Sequence, residues 1–117
     1  MSATEADRLR GHEFLPDADV LAAVPSLYET ESVPAAEKVI HLHYFVGSCD
    51  WWVAELDEDA RIAFGFASLS ASGAEWGYVD LHELRAVVAR PHGYPVVVER
   101  DLGWAPTPFS QVGTLRA

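Results

Sequence analysis

Lys38–Phe66 reads KVIHLHYFVGSCDWWVAELDEDARIAFGF. Three apolar, aromatic-rich runs are split there by two turn clusters, Gly47–Asp50 (GSCD) and Asp57–Ala60 (DEDA). Runs rich in Val, Ile, Phe, Tyr and Trp and bounded by Gly, Asp and Ser predict an antiparallel meander. The strands are expected over Lys38–Val46, Trp51–Leu56 and Arg61–Ser68. If GSCD closes the first hairpin with Val46 opposite Trp51, alternation assigns the faces. One face then carries Ile40, Leu42, Tyr44, Val46, Trp51, Val53, Ile62, Phe64 and Phe66, and is the expected core wall. The other carries His41, His43, Phe45, Trp52, Leu56 and Arg61 over a floor of Ala54, Ala63, Gly65 and Ala67.

Outward from the meander, Glu75–Val79 reads as a fourth strand and Pro95–Arg100 as a fifth. Asp80 stands where a helix N-cap belongs, followed by an apolar stripe of Leu81, Leu84, Val87 and Val88 that Pro91 and Gly93 should end. Upstream, residues 16–23 predict a helix with Pro16 at an early position, and Leu27–Pro34 a connector with Glu29, Glu31 and Glu37 in solvent. Residues 1–13 are expected to fray or to form a short helix. The fold class is therefore α+β: an antiparallel meander of about five strands with two or three short helices, in one domain over 1–117.

Composition narrows the function classes. Eighteen acidic residues against 8 basic give a net charge of −10. A nucleic-acid phosphate backbone and an anionic membrane both want a Lys/Arg footprint, so neither is an expected direct partner. A basic protein partner is compatible, because long-range fields steer such encounters. The single Cys49 excludes an internal disulfide and a C-x-x-C zinc site. No apolar run reaches the ~18 residues of a membrane span, and the polar start MSATEADRLR lacks the apolar core of a signal peptide. A cytoplasmic location is the resulting expectation.

The string FVGSCDWWVAELD, then AFGFASL, EWGYVDLHEL and VVVERDLGW, resembles a bacterial family catalogued as domain of unknown function 2958. The W-[WY]-x-x-E core of that family maps onto Trp51–Glu55, its F-G onto Phe64-Gly65, its E-[LW]-G-Y-x-[SD]-L-x-E-L signature onto Glu75–Leu84, and its E-R-D-L onto Glu99–Leu102. The match covers roughly residues 27–109, within a family-like core of 14–109. The resemblance lends no catalytic residues. It implies an accessory protein of the kind often carried on plasmids and other mobile elements.

Each candidate chemistry in the sequence has a plainer structural role beside it. His41 and His43, at i and i+2 on a strand, could share a metal with His82, Cys49 or Asp50, but no H-x-x-x-H or C-x-x-C companion supports this, and no metal or cofactor is expected. Cys49 lies beside Asp50, whose charge disfavours a thiolate. Glu55, Glu75, Glu99 and Asp101 read as ion-pair partners of Arg61 and Arg100. Trp52 and Trp76 are candidate exposed anchors. The reading is a small acidic accessory protein that binds another protein, for instance by mimicking nucleic-acid charge, with no catalysis favoured. The expected binding face is His41, His43, Trp52, Arg61 and Trp76, with Asp57, Glu58 and Asp59 as acidic contacts. The alternative is a small hydrolase or small-molecule binder using the His41, His43 and Arg61 face.

Overall fold

The computed structural model describes residues 4–69 and 73–112. Its first hairpin is tighter than the sequence suggested. Strand β2 (Leu42–Val46) turns into β3 (Cys49–Leu56) through Gly47 and Ser48 alone, pairing Val46 with Cys49, Tyr44 with Trp51 and Leu42 with Val53. Gly47 has φ 55°, which a two-residue hairpin loop commonly requires and glycine supplies without strain. Strand β4 (Ile62–Leu69) and β5 (Ala74–Asp80) continue the meander, and the two-residue β8 (Glu99–Arg100) adds beside β2. The sheet order is β5-β4-β3-β2-β8, all antiparallel.

The expected face assignment is corrected in β4. Val53 pairs with Gly65 but Glu55 pairs with Phe64, so Ala54 is an extra residue in a β-bulge. A bulge shifts the alternation by one. Gly65 fits it closely: a Cβ there would stand 1.9 Å from the Trp52 carbonyl oxygen. Phe64 and Phe66 therefore leave the predicted wall for the opposite face, and Ala63 and Leu56 join the wall. Ile40 also changes sides. The first strand breaks at His41 into β1 (Val39–Ile40) and β2, and Ile40 packs with Trp52.

Two cores result. On one face Leu42, Tyr44, Val53, Leu56 and Ala63 meet the helical Leu81 and Leu84 and, from the N-terminal loops, Phe14 and Val24, joined by Val98. Helix α1 (Glu5–Leu9), capped by Thr4, realises the helical alternative for the N-terminal stretch; α2 (Ala18–Ala23) follows. Helix α3 (Leu81–Ala86) starts at Asp80, which accepts from the N–H groups of His82 and Glu83. It ends at Ala86, well before Pro91, and Val88 joins β6 (Val88–Ala89) against β7 (Val96–Val97). The predicted fifth strand is thus divided, with buried Val98 between β7 and β8.

The other face is aromatic. Ile40, Trp52, Ala54 and Val112 are buried there, with Phe66, Trp76, Trp104 and Phe109 packed around them. The C-terminal segment closes part of it: β9 (Thr107–Pro108) pairs with β1, and the Trp104 indole N–H donates to the Ile40 carbonyl at 3.0 Å. Among the described residues no helix is long and apolar enough to cross a membrane.

Candidate binding site

The face expected to bind does not assemble as one site. His43, Trp52 and Trp76 do lie on the aromatic face. His41 sits in the break between β1 and β2, donates its backbone N–H to Val53, and has its imidazole pulled below the ordinary value by burial. Arg61 is exposed before β4 and holds Asp80 at 3.2 Å. No hydrogen bond, ion pair or ring contact among the described residues joins either of them to His43. Trp52 is 4% exposed, so it is core and not an anchor.

His43 is a closed polar centre. Its Nε2 lies 2.8 Å from an Asp50 carboxylate oxygen and its Nδ1 3.0 Å from one of Asp101. A neutral imidazole has one N–H, so both contacts are donated hydrogen bonds only in the imidazolium form. The ring also stacks on Trp52 at 5.3 Å and touches Trp104 and Phe45. Both nitrogens are committed, which leaves neither for a substrate or a metal. Among the described residues no three His, Cys, Asp or Glu side chains converge to hold a metal ion.

A second buried polar centre lies at the other end of the aromatic face, and this one is open. Glu55, 3% exposed, was expected to pair with an arginine. Its carboxylate instead accepts from the backbone N–H groups of Tyr28 (2.8 Å) and Thr30 (3.0 Å) and from the Thr30 hydroxyl. Lys38, also buried, donates its ammonium to the Thr30 carbonyl and hydroxyl and rests 6.0 Å from the Phe64 ring centroid. This clamp fixes the Tyr28–Thr30 loop. It holds Tyr28 at φ 71°, a left-handed conformation rare for a bulky residue and worth ~1–3 kcal/mol of strain.

The clamp presents an aromatic pair. Tyr28 and Tyr78 are 64% and 56% exposed, with ring centroids 6.3 Å apart. With Glu31, Lys38, Glu55 and Phe64 they line a pocket of about 240 Å3. The Tyr78 phenol is pushed above its ordinary value, first by a hydrogen bond with Tyr28, then by burial and by the negative charges of Glu55 and Glu31. The Glu31 and Glu55 carboxylates that line the pocket put negative charge beside the pair, where a cation is favoured.

The acidic turn lies nearby in the fold. The Leu56 N–H donates to the Pro25 carbonyl at 2.9 Å, which ties the acidic connector to the strand end carrying Asp57, Glu58 and Asp59. Glu58 and Asp59 are exposed; Asp57 is built into the turn and accepts from the Arg61 N–H at 2.7 Å. The other acids paired differently from expectation too. Asp101 holds His43, Glu99 lies 3.6 Å from His12, and Arg100 donates to the Glu13 carbonyl. Sequence reasoning missed Tyr28 and Lys38. The available signal was Glu55 itself, a carboxylate inside an apolar strand that must find donors if buried.

Fold and sites define an α+β domain built on one antiparallel sheet, with a closed charge centre and an open one on the same face. A family model described as "Protein of unknown function (DUF2958)" matches residues 20–111. The chain belongs to that family. Comparisons with curated proteins and with solved structures gave no match.

Proposed function

We propose that this chain is a non-enzymatic binding protein for a basic protein partner, and that the partner places a cationic side chain against the Tyr28–Tyr78 pair. The observation that carries the reading is the exposed tyrosine pair over the buried Glu55 clamp, beside Glu31. Aromatic faces attract cations, and tyrosine is enriched in interface hot spots. The strained backbone at Tyr28 supports it, because such strain clusters where a side chain is held for recognition. The acidic connector and turn add a steering field around that site, and the net charge of −10 extends it. A mobile-element accessory role, with the partner a nucleic-acid-binding protein, is the version of this reading that the charge suits.

The test is capture of partners from the native host on the parent chain and on a Tyr28→Ala Tyr78→Ala variant, eluted with a salt gradient. A basic protein held by the parent, released by salt and lost from the variant is the expected result. Partners that are neutral or acidic, or held equally by both chains at all salt concentrations, would overturn the reading.

A further inference from the structure

The two edges of the sheet are built differently. On one side β8 is two residues long, which leaves little backbone to pair. On the other, β5 runs for seven residues with no proline, no lysine and no break in its register with β4. Edge strands are normally blunted by such devices.

The register fixes what β5 presents. The Leu69 N–H donates to the Gly73 carbonyl, and the Leu81 N–H to the Arg61 carbonyl. In an antiparallel ladder the hydrogen-bonded pairs recur every second residue. Glu75, Gly77 and Val79 therefore bond inward to β4, while Ala74, Trp76 and Tyr78 turn their N–H and C=O groups outward. No described strand pairs with that outer edge.

Both faces beside the edge have room for side chains. On the aromatic face lie the Tyr28–Tyr78 pair and Glu31. On the helix side is a groove of about 240 Å3 over Gly65 and Gly77, walled by Trp51 and Val79 and rimmed by Glu75. A Cβ at Gly77 would meet nothing within 4 Å, so packing does not explain a glycine in mid-strand. Glycine in a strand interior often marks the close approach of another backbone.

We infer that β5 is a strand-addition edge, and that its occupant is an extended basic segment of the partner, alternating cationic and apolar residues. The inference rests on the proposed basic partner and adds the mode of binding. Main-chain hydrogen bonds to Trp76 and Tyr78 would supply affinity, as in other β-augmented complexes. The cationic side chains would meet Tyr28, Tyr78 and Glu31, and the apolar ones the Gly77 groove. Charge selects this occupant over a second copy. The strand carries Glu75 and Asp80 and no base, in a chain of net charge −10, so like chains repel.

The experiment is backbone amide exchange on the full chain, alone and with end-blocked octapeptides of alternating lysine and valine or glutamate and valine. The lysine peptide should slow exchange at Trp76 and Tyr78 by about tenfold or more at saturation, and the glutamate peptide should not. Binding of the lysine peptide without protection of those two amides would overturn strand addition while leaving the basic partner standing. No binding of the lysine peptide, or equal protection by both peptides, would overturn the occupant. Protection in the free chain together with a dimer in sedimentation would assign the edge to a second copy instead.

Discussion

The two faces of the sheet solve burial in opposite ways. The helix-covered face buries aliphatic side chains and Tyr44, whose hydroxyl donates to the Phe14 carbonyl at 2.8 Å. Arg10, buried on that face, donates to the Val98 and Arg85 carbonyls and to Asp7. Among the described residues, the aromatic face buries two polar centres and closes only one. His43 is enclosed by two carboxylates and three rings, whereas Glu55 and Lys38 underlie a pocket that two exposed tyrosines border. A buried charge is therefore not by itself a site. What separates the two centres is whether the groups around the charge are spent on the fold or left facing solvent.

That contrast can be broken most sharply at Glu55. Glu55→Ala should cost ~3–5 kcal/mol, because it strands the buried donors of Tyr28 and Thr30, and the Thr30 loop is also what holds the buried Lys38 ammonium. Urea unfolding measures it; a loss below ~1 kcal/mol would mean that the clamp does not hold the loop. His43→Ala should cost ~2–4 kcal/mol, since Asp50 keeps its burial but loses its imidazole hydrogen bond and Trp52 loses its stacking neighbour. The decisive comparison is in binding. His43→Ala should leave affinity for the partner unchanged at temperatures where the variant is folded.

The helix-covered face has its own signature in acid. Bonding to the Arg85 guanidinium holds the Asp7 carboxyl well below the ordinary 3.8, with the Thr4 N–H and hydroxyl helping against burial. A depressed folded value stabilises the protein above the unfolded value, and that contribution is lost as pH falls through the folded one. Stability should therefore decline below about pH 4, and Asp7→Asn should flatten that limb in thermal melts. An unchanged acid limb in the variant would remove Asp7 as the link between α1 and α3. The smallest folding effect is expected at Tyr28. Tyr28→Gly relieves the left-handed strain but loosens the unfolded chain, so its net cost should stay within ~1 kcal/mol.

The meander was legible because its strands are aromatic and β-branched and its breaks are Gly- and Asp-rich. The Asp80 cap was legible for a similarly local reason: a short acceptor directly before an apolar stripe. The faces of β4 were not. One extra residue at Ala54 moves Phe64 and Phe66 to the other side, and nothing in the string WWVAELDED marks which residue bulges. The division of Pro95–Arg100 was hidden because a continuous apolar run does not state which partner each half pairs with. The candidate face was read in part. His43 and Trp52 were placed together, but as exposed groups, since Asp50 from the same hairpin and Asp101, 58 residues away, close over the imidazole. Tyr28 was missed because its importance depends on a contact 27 residues away with Glu55.

The central claim is that the open centre binds and the closed one only supports. The most direct measurement is the kinetics of the captured basic partner on the parent chain and on the Tyr28→Ala Tyr78→Ala variant, with melting followed in parallel. The account predicts a dissociation rate raised about tenfold or more, a melting temperature close to that of the parent, and an association rate that falls with salt in both chains. Equal dissociation rates for the two chains would contradict it.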